Sequence, residues 1–149
     1  YVFLAAGEAV SSNAPIPGAS LWENGHDGHV MIDLGSDEFT RGRPHPMIDP
    51  SVRDSVLVDA LSDETLGVVL LDVVIGFGAH EDPSSHIARI VEDLDQSDCP
   101  VVVASVTGTD SDPQGRAAQE RKLNAAGVLV APSNADAAEL ALACLRSGQ

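Results

Sequence analysis

Positive charge is scarce in this chain: 8 Lys+Arg stand against 23 Asp+Glu, a formal net charge of −15. Such an excess repels phosphate backbones and anionic lipid surfaces, and it argues against a broad nucleic-acid-binding face. Aromatic residues are scarcer still, with Tyr1, Phe3, Trp22, Phe39 and Phe77 the whole set. None follows position 77, so the second half must build its core from Val, Leu, Ile and Ala. Cysteine is limited to Cys99 and Cys144, far apart and outside any CxxC pattern. That argues against a disulfide scaffold or a thiolate zinc site, and a reducing cytoplasm is the simplest setting. The longest apolar runs are strand-sized, too short to span a bilayer. The opening Tyr1 to Ala6 is too short, and lacks the basic flank, for a signal peptide. A chain beginning on Tyr1 reads as a fragment, or as a subunit whose start was removed.

What remains is a chain of 149 residues, 44% hydrophobic, enough for one domain with a real core and not a disordered composition. The run Gly67 to Ile75 is continuously apolar apart from Asp72. Apolar on both faces, it suggests a central parallel strand. After Gly76 to Asp82 comes Pro83, a good first-turn residue, and Ile87, Ile90, Val91 and Leu94 have helical spacing. Val101 to Val106 is a second strand, and a loop from Thr107 to Gly115 leads to a polar helix from about 116 to 126. Gly127 is placed to end that helix. Val128 to Ala131 is a third strand, and Pro132-Ser133-Asn134 opens a final Ala/Leu-rich helix to about Arg146.

This β-α-β-α-β-α order with short connections calls for a parallel α/β sheet with right-handed crossovers. His29 to Leu34 reads as a further strand. Asp49 is placed to cap a helix that starts at Pro50 and continues through Leu57 and Leu61. Residues 1–28 read as an irregular segment, a truncated first βα unit; residues 29–149 read as the main domain. In a doubly wound sheet the ligand sits at the carboxyl ends of the strands. That rule selects four loops: 33–38, 76–82, 107–115 and 132–134.

Arg41, Arg43 and Arg53 form a basic island. Against Asp49 alone, residues 41–53 carry +3 − 1 = +2, so the remaining chain carries −17 of the total −15. The island is read either as an anion site or as arginines paired with Asp33, Asp37 and Glu38. Gly76-Phe77-Gly78-Ala79-His80 lies between strand and helix, where backbone amides attract phosphate or carboxylate. It is neither a Rossmann fingerprint nor a Walker loop, and a tight structural turn is the competing explanation. All five histidines lie between positions 26 and 86. His26-x-x-His29 has metal spacing but no supporting Cys or carboxylate pattern, so no metal is assigned. His80 sits in the strand–helix loop, suited to acid–base work. His45 is flanked by two prolines, as an active-site residue or part of a rigid turn. His86 is expected on the surface. Asp72 resembles a receiver-domain acceptor, but the acidic pair and the Lys that such a signalling module needs are missing.

The segments Gly35 to Pro50, Leu71 to Pro83 and Val102 to Gln114, in order, resemble the C-terminal region of the FdrA family, which is related to the CoA-ligase domains of succinyl-CoA synthetase. The resemblance covers about residues 25–145. It implies a flavodoxin-like, three-layer αβα sheet, with a first strand missing or supplied by another chain. The related synthetase domains pass a phosphoryl group through a phosphohistidine held between two helix N-termini. Here the place of that histidine is taken by Thr107 to Gln114, so the synthetase reaction by that residue is not expected. The resemblance further implies purine-degradation chemistry, with oxamate carbamoyl transfer in some members. The implied bound group is CoA or a phosphorylated small molecule, and the implied partner is another CoA-ligase-like chain in an oligomer.

The expected function is therefore a ligase or transferase component that binds a small phosphate or carboxylate. Arg41, Arg43 and His45 are its candidate anion-binding or catalytic residues. Gly76, Gly78 and His80 form the expected cradle, with Thr107, Gly108, Thr109 and Asp110 facing it. A non-catalytic interaction subunit is the alternative.

Overall fold

A computed structural model describes residues 1–22, 28–93 and 99–147. The chain divides into two compact units, Tyr1–Pro44 and His45–Gln149. Each carries a three-stranded parallel sheet, and the helices are interleaved with the strands. This mixed α/β architecture is that of a flavodoxin-like αβα fold.

In the first unit, the short helix α1 (Val2–Ala5) precedes β1 (Val10–Ser12), which is central between β2 (Ser20–Leu21) and β3 (His29–Met31). Val10 lies opposite His29 and Ser12 opposite Met31. Phe3 is buried and meets the His29 ring edge-on at 4.8 Å. His29 also lies 3.6 Å from Glu8. Its metal spacing with His26 falls on a residue outside the described ones. A one-turn helix α2 (Asp37–Thr40) follows β3.

In the second unit, Asp49 caps as its side chain predicts: its carboxylate accepts the N–H of Ser51. Pro50–Arg53 is a 3₁₀ turn that leads into α3 (Asp54–Leu61). The sheet is β4 (Val68–Val74), β5 (Val101–Thr107) and β6 (Leu129–Ala131), in the order β4-β5-β6. Within this sheet β5, not β4, holds the central place expected of Gly67–Ile75. The burial pattern gives the reason. Val102 through Val106 are all buried, whereas β4 alternates and exposes Asp72. A strand sandwiched on both faces needs apolar side chains at every position.

Alternate residues of the strands point to opposite faces. Val69, Val73, Val102, Ala104 and Val106 join Leu57, Leu61, Ile87, Val91 and Leu123 in one apolar cluster. These last five come from α3, from α4 (Pro83–Glu92) and from α5 (Arg116–Ala125). No aromatic enters this core. Ile87 and Leu123 are wholly buried, each worth about 2–3 kcal/mol by area alone. Val103 and Ser105 point the other way and are equally buried. That face is covered by α6 (Asn134–Ser147), which packs on β4 and β5 through small residues such as Ala137 and Ala141.

Candidate functional site

The carboxyl end of β4 runs into Ile75 and then Gly76 to Asp82. Gly76 and Gly78 both have positive φ, 143° and 87°, a backbone that side chains rarely tolerate. Phe77 between them is fully exposed. The turn is stapled by Gln114 from the loop after β5. Its Oε1 accepts the Gly76 N–H at 3.2 Å. Its Nε2 donates to the carbonyls of Gly76 at 3.0 Å and His80 at 3.1 Å, with a longer contact to Ala79 at 3.4 Å.

Helix α4 opens beside this turn, and the chain itself supplies acceptors for its first amides. Asp82 is the cap, accepting the Ser85 N–H at 3.3 Å. The Ser84 N–H goes to the buried Gln119 side chain of α5 at 3.0 Å. The amides of Phe77, Gly78 and Glu81 are the ones left without an acceptor among the described residues. Burial raises the Asp82 carboxyl, but the Lys122 ammonium at 2.6 Å and the Ser85 bonds outweigh it and hold it below 3.8.

Two of the candidate histidines are bonded to the backbone of Met47. The Met47 N–H donates to His45 Nδ1 at 3.1 Å, and the Met47 carbonyl accepts the His80 N–H at 2.7 Å. His80 Nδ1 in turn accepts the Asp82 N–H at 3.0 Å. Asp49 lies within the field of His80 and His86; its carboxyl is lowered chiefly by the Ser51 hydroxyl and N–H, with those histidines adding to it. His86, expected on the surface, is half-buried, with Nε2 2.5 Å from Asp54 Oδ1. It ties α4 to the start of α3.

The loop after β5 is held largely by its own side chains. Thr109 donates its N–H and its hydroxyl to Asp112 Oδ2, at 2.6 and 3.0 Å. Asp110 accepts the Ala117 N–H at 2.7 Å near the start of α5. The Thr107 hydroxyl lies 3.4 Å from Asp72. Gly108 lies against Ile75, where an added Cβ would meet Cγ1 at 2.3 Å.

The basic island is divided between the two units. Arg53 belongs to the second unit, where its guanidinium reaches the Asp72 carbonyl at 3.4 Å and burial lowers its pKa. Arg41 and Arg43 belong to the first unit and are exposed. Neither makes an ion pair with Asp33, Asp37 or Glu38 among the described residues, so that pairing does not form. Asn13 holds the acidic loop instead. Its Nδ2 donates to the Asp33 carbonyl, Ser36 and Glu38, and its Oδ1 accepts the Asp33 N–H. Arg41 lines an open cleft of about 530 Å³ with Asn13, Ser36, Asp37 and Glu38.

A family model for CoA-ligase matches residues 5–144. The chain belongs to the CoA-ligase family. The uncharacterized protein YahF of Escherichia coli (strain K12) is 34% identical over 149 residues, an alignment covering 96% of this chain and 29% of that protein. The chain thus spans less than a third of that relative's length.

For a CoA-ligase chain, CoA itself is the first group to test against the site. CoA carries a pyrophosphate and a further phosphate, which call for open cations. At this edge of the second unit, Arg53, Arg116 and Lys122 are bonded to Asp72, Glu120 and Asp82. Arg116 and Lys122 are thus paired with carboxylates, whereas Arg53 meets only a backbone carbonyl and its Nε has no partner among the described residues. The open donors around Gly76 to Asp82 are the backbone amides of Phe77, Gly78 and Glu81.

Gln114, Gln119 and Lys122 escape a reading by motif, since each sits in a polar stretch that does not single it out. Gln119 carries one usable signal: it lies four residues before Leu123, so a polar amide shares the helix face of a core leucine.

Proposed function

We propose that this CoA-ligase chain is a component of an FdrA-type enzyme, acyl-CoA-synthetase-related or carbamoyl-transferring. On this reading it binds a small phosphate or carboxylate at the carboxyl edge of the β4-β5-β6 sheet. The observation that carries the reading is the Gly76–His80 turn, pinned by Gln114 with open amides at Phe77 and Gly78, in a chain of this family. Arg41 and Arg43 are exposed cations free to meet the same class of anion. The absence of a histidine from Thr107 to Gln114 argues for a ligand-handling role without a phosphohistidine in that loop. The working assembly pairs this chain with another CoA-ligase-like chain or domain, and a chain with two cysteines outside any CxxC pattern suits a cytoplasmic setting.

The test is calorimetry on the intact assembly with carbamoyl phosphate and with CoA. Binding heat is expected and its absence sinks the anion-site reading; a heat that Arg43→Ala leaves unchanged sinks a separate anion-contact role for Arg43. A second reading, a non-catalytic interaction subunit, is favoured by the fully exposed Phe77 at the tip of the turn. It predicts no ligand heat, but a mass increase in light scattering when the partner chain is added.

A further inference from the structure

We propose that the open edge of β4 is an interaction surface that takes an extended strand of a partner chain, with a carboxylate of that strand meeting Arg53. This goes beyond the anion-site reading above and does not depend on it. β4 is the outer strand in the order β4-β5-β6, paired with β5 from Val68 to Val74. The Gly67 carbonyl accepts from Val101 of β5, and the Ile75 N–H donates to Thr107, each at 3.0 Å. Along a strand the backbone groups of successive residues turn to opposite sides, so the odd positions serve β5. The N–H and C=O groups of Val68, Leu70, Asp72 and Val74 therefore face away from it. Among the described residues, what meets them is Arg53 Nη1, 3.4 Å from the Asp72 carbonyl.

The two edges of this sheet are unlike. β6 has 3 residues, and a short edge offers little to pair with. β4 has 7, without Pro, Gly, Lys or Arg, and its single charge is Asp72. An edge so long and apolar is a template for a further strand. Arg53 indicates what that strand carries. The turn Pro50–Arg53 sets a half-buried guanidinium against this edge, and its Nε is buried without an acceptor among the described residues. The carboxylates nearby are turned to other groups. Asp54 Oδ1 lies 2.5 Å from His86 Nε2, and Asp72 Oδ1 lies 3.4 Å from the Ser105 and Thr107 hydroxyls. Both act on Arg53 through their field alone, and burial still lowers its pKa. A desolvated guanidinium short of acceptors calls for a carboxylate, which it binds through two N–H groups at once. The strands β1, β2 and β3 have 3, 2 and 3 residues, less than half the length of this edge. A second copy would bring a further net charge of −15 to it. A strand already extended within a folded partner pays little ordering entropy on pairing.

The test follows amide exchange in the full chain, with a capped probe peptide of alternating Val and Thr around a central Glu. In the chain alone, the amides of Leu70, Asp72 and Val74 are expected to exchange far faster than those of Val69, Leu71 and Val73, which bond to β5. The probe at millimolar concentration is expected to slow the first set. Replacing its Glu by Gln is expected to weaken binding to the parent roughly tenfold, the loss of one charge-assisted hydrogen bond. Arg53→Met keeps an apolar stem and removes the guanidinium, and it is expected to bind both probes equally. Equal exchange of the two amide sets in the chain alone overturns the proposal. A doubled mass in light scattering then assigns the edge to a second copy, and an unchanged mass assigns it to the chain itself. A probe that slows nothing, or the same Glu-to-Gln loss in parent and Arg53→Met, overturns it as well. So does a loss of less than about twofold in the parent, a result that stands even if Arg53→Met does not fold.

Discussion

Gln114→Ala is the most informative single perturbation of the second unit. The side chain makes three good hydrogen bonds, to Gly76 N, Gly76 O and His80 O, at 3.0–3.2 Å, and a weaker one to Ala79 O at 3.4 Å. At about 1 kcal/mol net for each good bond, removal costs at most about 3 kcal/mol. Water can reach the half-buried carbonyls once the side chain is gone, which brings the expected loss to about 2 kcal/mol. For a chain of this size that is about 4–8 °C in Tm. The assay is urea denaturation followed by circular dichroism, with a thermal scan alongside. Gln114→Glu sharpens it. Its carboxylate still accepts from Gly76 N, but its second oxygen faces carbonyls that need a donor. The variant is expected to be less stable than Gln114→Ala at pH 7. The new carboxyl is raised in the folded state, so its penalty is absent below the unfolded value of about 4.3 and grows as pH rises through it. A Gln114→Ala variant within about 0.5 kcal/mol of the parent, or a Gln114→Glu variant as stable as the parent at pH 7, refutes the clamp.

Two further substitutions test the neighbouring structure. Gly108→Ala combines φ +145° with a Cβ only 2.3 Å from Ile75, whereas Gly78→Ala has φ +87° and open space. The first is expected to cost more than about 2 kcal/mol and the second about 1 kcal/mol in denaturation, and equal losses would contradict the close approach at Ile75. Lys122→Met removes the partner of Asp82 from a pair in which both side chains are more than a third exposed. The expected loss is about 0.5 kcal/mol in low-salt urea titrations at pH 7. Because the Asp82 carboxyl is held below 3.8, that stability is present above this value and lost as pH falls through the lowered one. Parent and variant should therefore converge well below pH 3.8, and a gap that persists there rules out the ion pair as its source.

The sequence by itself determined the helices and strands of the second unit. Pro83 and Asp82 mark the start of α4, Pro50 and Asp49 mark the turn into α3, and the apolar runs at 68–74 and 101–107 have strand length. These are local signals, set by backbone restriction, caps and side-chain period. It also determined that the second unit's core would be aliphatic. The rank of β5 over β4 was not legible, because both runs read as continuously apolar. Only packing on two faces at once separates them, and Asp72 was the residue that betrayed the more open strand. The basic island looked like one feature because Arg41, Arg43 and Arg53 are close in sequence. Tertiary structure sets Arg53 against the Asp72 carbonyl of β4 and leaves Arg41 and Arg43 exposed within the first unit. The link of His45 to His80 through Met47, and the reach of Gln114 across 38 residues to Gly76, were likewise decided only by folding. Local chemistry fixes which residues can form an element or a turn. Which polar groups then face one another depends on contacts between distant segments, and those exist only once the sheet has brought its carboxyl-end loops together.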